Sequence, residues 1–168
     1  MLRELHAELG IPEDYGRDGS RPMFEEAVDL VDVGPNIVGR AQRLAPATAA
    51  AWAAMQAAAA AEGVTLLLVS GFRSIDYQAR LIRRKINAGQ ALAEILAVNA
   101  APGFSEHHTG RAVDIATPGS RPLTEEFEHS AAFQWLGANA GHFGFAMSYP
   151  RDNGAGFVYE PWHWALRE

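Results

Sequence analysis

A run of alanine across residues 47–61 is the feature that most limits how this chain can fold. Alanine loses no side-chain entropy in a helix and has the best helix propensity, Pro46 suits a first helical position, and Gly63 suits a C-terminal stop. The run therefore reads as one helix rather than a low-complexity linker, with Trp52, Met55 and Ala59 turned toward a core. The segment that follows, Val64-Thr65-Leu66-Leu67-Leu68-Val69-Ser70, is short, apolar and closed by Ser70-Gly71, as expected of a buried strand. A helix feeding such a strand leaves Arg73 at a strand end.

Punctuation sets the remaining elements. Helices are expected over residues 75–87, stopped by Gly89, and over 91–99, ended by Pro102-Gly103. Residues 111–116 alternate, so that Ala112 and Asp114 share one face of a strand and Val113 and Ile115 the other. Thr124 followed by Glu125 and Glu126 reads as a capped helix start, whose apolar face continues through Phe133, Leu136 and Ala140. Two aromatic-rich strands, 145–149 and 157–164, close the chain. The expected fold class is α+β, a small, largely antiparallel sheet with helices packed around it. There is no repeat at a solenoid period and no linker. At 168 residues one domain can bury roughly two-thirds of its surface, so a single domain over 1–168 is expected. Within it, 1–45 reads as an N-terminal extension or variable part and 63–168 as the motif-bearing core.

The composition removes several kinds of function. Cysteine is absent, which excludes thiolate metal sites, disulfides and cysteine nucleophiles and leaves histidine and carboxylate as candidate ligands. A net charge of -6, with basic residues dispersed except for Arg83-Arg84-Lys85, argues against a nucleic-acid surface. The opening residues carry charges every few positions and lack an apolar stretch, so neither a signal peptide nor a membrane span is expected. On the sequence as given the compartment is cytoplasmic, or periplasmic or cell-wall if a leader was removed. Oligomeric state is not legible.

The chemistry concentrates in two segments. Residues 105–114 read Ser-Glu-His-His-Thr-Gly-Arg-Ala-Val-Asp, which puts His107 in a loop and Asp114 on the strand behind it. Near the C-terminus, Glu160-Pro161-Trp162-His163-Trp164 supplies a further imidazole that alternates away from two tryptophans. Three such ligands would leave a coordination position open, the arrangement a catalytic zinc needs. Glu160 is the carboxylate nearest a ligand in its segment. In a straight strand, positions three apart face opposite ways, so a shared site requires a turn or bulge at Pro161.

These residues resemble the VanY-like D-alanyl-D-alanine carboxypeptidases, zinc peptidases related to the lysostaphin-type endopeptidases and the hedgehog domain. The resemblance covers about residue 63 to the C-terminus. It is carried by Ser70-Gly71-Phe72-Arg73-Ser74 with Gln78, by Ser105-Glu106-His107 with Gly110, Ala112 and Asp114, and by Glu160 with Trp162-His163. It implies a hedgehog-like peptidase fold, one zinc ion per chain on His107, Asp114 and His163, and Glu160 as general acid/base. It also implies that Arg73 meets substrate and the developing oxyanion, with Ser105 and Gln78 as pocket residues. The implied substrate is a peptidoglycan stem peptide or another D-alanyl peptide. L,D-carboxypeptidase, dipeptidase and endopeptidase activities belong to the same family.

Two readings outside that class compete. The iron(II) oxygenases also use two histidines and a carboxylate, but their typical pattern sets His and Asp two apart, against seven here. A metal-stabilised binding module would have little need for Glu160 or Arg73. His108 adjoins a ligand but does not fit the motif spacing, and His6, His129 and His142 lie outside any motif.

Overall fold

The computed structural model describes residues 1–167. In chain order the elements are α1 (Leu2–Leu9), β1 (Val31–Pro35), β2 (Ala41–Leu44), α2 (Pro46–Ala61), β3 (Leu67–Ser70), α3 (Ile75–Asn87), α4 (Leu92–Val98), β4 (Ala112–Ala116), α5 (Ala131–Asn139), β5 (Phe145–Met147) and β6 (His163–Leu166). Short 3₁₀ segments lie at Glu106–Thr109, Glu125–His129 and Ala140–Phe143. β1 and β2 form a hairpin, and the main sheet runs β3-β4-β6-β5 with every neighbouring pair antiparallel. The α+β class expected from the pattern is the class found. Among the described residues, no helix is long and apolar enough to cross a membrane.

The helices read over 47–61 and 75–87 are present. α2 starts with Pro46 in its first turn and ends before Gly63, whose φ of 78° suits glycine. Ser74 caps α3, its side chain accepting from the Tyr77 N–H, with Asp76 in the first turn and Arg84 and Lys85 in the last.

Several boundaries differ from expectation, the strand read over 145–149 among them, which ends at Met147. β3 begins at Leu67 because residues just after α2 are spent on its cap, with the Gly63 and Val64 N–H groups donating to Ala60 and Ala59. The expected helix over 124–140 is divided at Ser130, whose extended backbone (φ -82°, ψ 154°) separates a 3₁₀ segment from α5 and whose hydroxyl caps α5 at Phe133. The last strand starts at His163 rather than 157, because the Val158 and Glu160 N–H groups donate to Ala97 and Tyr149 and Pro161 has none to give.

The apolar side chains form two clusters. Val113, Ile115, Phe145 and Trp164 form one wall of the first, against Trp52 and Met55 of α2 and Trp135 and Leu136 of α5. Each such side chain contributes about 1.5–3 kcal/mol relative to exposure. The second joins Leu9 and Ile11 to Ala79, Ile82, Ile95, Leu96 and Phe104. Leu44 is fully buried in the first cluster, so the first 45 residues supply side chains to both cores. Asp114 and His163 are cross-strand partners, as are Val113 and Trp164. By strand alternation, Asp114 and His163 therefore share the face turned away from the first cluster.

Candidate metal centre and cleft

His107 is placed by the Glu106–Thr109 turn, which Ser105 caps by accepting the His107 N–H at 3.3 Å. Gly110 ends that turn at φ 66°, and a Cβ there would lie 2.8 Å from the Ala45 nitrogen, so only glycine lets the loop press against the segment after β2. Asp114 occupies the fully buried strand β4, beside the first residue of β6, His163. The turn required at Pro161 is present: the His163 N–H donates to the Glu160 carbonyl at 3.2 Å. It brings Glu160 Oε2 to 3.8 Å from His163 Nδ1.

The donor set fits a metal ion. His107 Nδ1 lies 2.7 Å from the Gly71 carbonyl. A carbonyl only accepts, so Nδ1 carries the hydrogen and Nε2 presents its lone pair. That Nε2 is buried, has no hydrogen-bond partner, and stands 3.2 Å from Asp114 Oδ2. Burial holds the ring neutral by pushing His107 down to about 4, so two acceptors face each other. A cation between them removes the repulsion. Ligand atoms of His107, Asp114 and His163 all fall within 4.8 Å of one another, and among the described residues no other such group converges. Two imidazoles and one carboxylate suit zinc and leave a fourth position for water or substrate.

The charges around the trio are ordered. His163 Nδ1 lies 3.0 Å from Asp114 Oδ1, and its Nε2 lies 2.8 Å from Glu106 Oε2. Burial opposes the imidazolium, but the hydrogen bonds to Asp114 and Glu106 outweigh it and lift His163 to about 10 in the metal-free protein. Burial likewise opposes ionisation of Glu106, yet His163, Ser148 and Arg167 bring it down to about 2. Asp114 is held below the ordinary carboxylate range, burial being outweighed by His107 and His163. Glu160 goes the other way. Burial, reinforced by Asp114 and partly opposed by His163, pushes it up to about 7.

Glu160, Arg73, Ser105, Tyr149 and Phe157 join the two histidines around a narrow cleft. Arg73 does not pair with Asp76, which binds Arg80 instead. Its Nε is buried without a partner, and its backbone N–H donates to the His107 carbonyl at 3.1 Å. Gln78 stands behind the wall, fully buried, with Nε2 donating to the carbonyl of the lining residue Ala100 at 2.8 Å. Both nitrogens of His108 are engaged, Nδ1 with Arg73 O at 2.6 Å and Nε2 with Gly103 N at 3.0 Å, so this ring pins two loops. A larger hollow, about 430 Å³, lies between 63–65 and 117–120 but holds no converging ligand set.

Glu106 and its partners are the part sequence reasoning left without a role. Ser148 donates to Glu106 Oε2, Arg167 Nη1 donates to Glu106 Oε1 at 3.1 Å, and Arg167 Nη2 donates to Ser148 Oγ at 3.0 Å. The one signal available was a carboxylate directly beside a candidate ligand.

The Glu160 shift has a consequence for metal-free protein. A carboxyl whose folded value is raised contributes stability that is full below about 4.5 and lost as pH rises through about 7. Metal-free Glu160→Gln should therefore match wild type near pH 4 and exceed it at pH 8 by about 2–3 kcal/mol, read by urea denaturation at both pH values. Equal stability at pH 8 would mean that folding does not raise this carboxyl above its ordinary range.

Comparison with known proteins places these features in a family. The model for VanY, D-alanyl-D-alanine carboxypeptidase, matches residues 41–167. A D-alanyl-D-alanine carboxypeptidase of Enterococcus faecalis is 35% identical over 117 residues, covering 64% of this chain and 42% of that protein. The chain thus spans less than half of that relative. The solved LdcB LD-carboxypeptidase superposes with a TM-score of 0.74 at 33% identity, over 86% of this chain and 71% of that one. A vancomycin-resistance D,D-pentapeptidase VanY, solved in complex with Zn(II), gives a TM-score of 0.65 at 29% identity, over 83% and 79%.

Proposed function

Since the chain belongs to the VanY family of D-alanyl-D-alanine carboxypeptidases, we propose that it is a zinc-dependent D,D-carboxypeptidase removing the terminal D-alanine from peptidoglycan stem peptides or their precursors. The observation that carries this reading is the buried, unpartnered His107 Nε2 facing Asp114 Oδ2 at 3.2 Å, with Glu160 beside the third ligand. The zinc-bound D,D-pentapeptidase relative supports the choice of metal.

In this reading His107 Nε2, an Asp114 oxygen and His163 Nδ1 hold one zinc ion. When bound, zinc supplies Lewis-acid polarisation of the scissile carbonyl and acidifies water. Glu106 keeps the hydrogen of His163 on Nε2, so that Nδ1 can present its lone pair inward. Glu160 takes a proton from water as the C–O bond forms and returns it to the amine as the C–N bond breaks. A burial-raised carboxyl, at about 7 before metal charge is added, suits a group that must accept and release a proton near neutral pH. Arg73 donates to the developing oxyanion or to the substrate's terminal carboxylate. Ser105 lines the same cleft, and Gln78 acts on it through Ala100.

The reading is tested with a stem pentapeptide as free acid and as C-terminal amide. A pocket for a carboxylate leaves its donors unpaired around an amide, a loss of roughly 1.5–3 kcal/mol, so amidation should slow cleavage about tenfold or more by mass spectrometry. Equal rates would replace carboxypeptidase with endopeptidase. One observation favours a second reading: the LD-carboxypeptidase relative has the higher TM-score of the two solved structures compared. A stem tetrapeptide in the same assay separates them, since preference for it identifies an L,D-enzyme.

A further inference from the structure

Part of the amino-terminal segment, outside the residues 41–167 that match the family, is bound to the cleft wall. The Arg21 guanidinium carbon lies 4.7 Å from the Tyr15 ring centroid and 4.6 Å from that of Phe157. Its Nε donates to the Ala155 carbonyl at 2.7 Å and its Nη2 to the Gly156 carbonyl at 3.2 Å. One side chain thus grips two successive carbonyls and the ring that follows them. The approach is close: a Cβ on Gly156 would stand 3.3 Å from Arg21 Nη2.

Both ends of this clamp are anchored. The Tyr15 hydroxyl accepts the Ala101 N–H at 3.2 Å, and the Tyr15 ring meets Phe104 edge-on at 5.1 Å. On the other side Phe157 lines the cleft and packs on Tyr149 at 4.9 Å, which in turn lies 4.8 Å from the His163 ring. The loop gripped by Arg21 is otherwise tied by Asn153 to Phe157 and by the Val158 N–H to Ala97. Arg21 itself touches neither the metal trio nor Glu160.

We propose that Arg21 is a positioning residue for substrate binding, which fixes the Phe157 wall of the cleft from outside the family-matched region. The inference rests on the catalytic reading above for the identity of the substrate. A residue acting this way alters how well peptide is held and leaves the proton transfer alone. Arg21→Met keeps the apolar stem and removes the charge and both donors.

The experiment measures zinc-loaded Arg21→Met on the free-acid stem pentapeptide, with hydrogen exchange followed in both proteins. KM should rise about fivefold or more with kcat within about twofold, and amides of 153–159 should exchange faster while those of β4 do not. Arg21→Lys, which keeps the cation over the rings and loses the fork to two carbonyls, should fall between. An unchanged KM, or a loss confined to kcat, overturns the proposal. If Arg21→Met folds poorly, Phe157→Leu must reproduce the rise in KM, and failure to do so overturns it equally. Should wild type cleave no D-alanyl peptide, the catalytic reading fails by itself. Exchange then decides the clamp: faster exchange confined to 153–159 sustains it, and no change rejects it.

Discussion

Glu160→Gln is expected to retain its zinc and lose turnover by a factor of about a hundred or more, with KM little changed. Glutamine fills the same volume but cannot take a proton from water or return one to an amine. Glu160 is buried and stands 3.8 Å from His163, so no solvent carboxylate can take its place. The neighbouring carboxylates are committed elsewhere, Asp114 to the two histidines and Glu106 to His163, Ser148 and Arg167. Zinc content and kcat measured on the same preparation check the separation. Near-normal kcat would assign the proton transfer to another group.

The second large effect concerns the metal. His107→Ala, Asp114→Ala and His163→Ala should each weaken zinc binding by a factor of about a hundred or more, measured by competition with a chromogenic chelator. The fold should survive, because the sheet holding these residues is backed by the first apolar cluster rather than by the site. Glu106→Gln should lose about ten- to a hundredfold, since it orients His163 without itself holding metal. Circular dichroism guards against trivial unfolding. Tight, stoichiometric zinc in any of the three alanine variants would remove that residue from the centre.

The two outcomes draw on features of unequal visibility in the sequence. α2 and α3 were legible because local chemistry marks them: an alanine run between Pro46 and Gly63, and a stop at Gly89. The candidate trio was legible because its members sit in short motifs whose order resembles a family. The need for a turn at Pro161 followed from strand alternation alone.

What escaped was set by partners far along the chain. Glu106 meets Ser148, His163 and Arg167 at separations of 42, 57 and 61 residues, and no local pattern announces such contacts. Arg21 and Ala155 are 134 apart. The break at Ser130 was hidden because Phe127 and Leu136 are both buried, so one apolar face runs across two segments. The first 45 residues were assigned no element, although Leu2, Leu5 and Leu9 are spaced as on one helix face and Leu9, Ile11 and Leu44 enter the cores once tertiary contacts exist.

One measurement meets the central claim directly: metal-stripped protein is titrated with zinc while D-alanine release from a free-acid stem pentapeptide is followed by mass spectrometry. The account predicts no release without metal, a linear rise with added zinc, and a plateau at one equivalent per chain. Release that persists in the stripped protein, or no release once a full equivalent is bound, would contradict it.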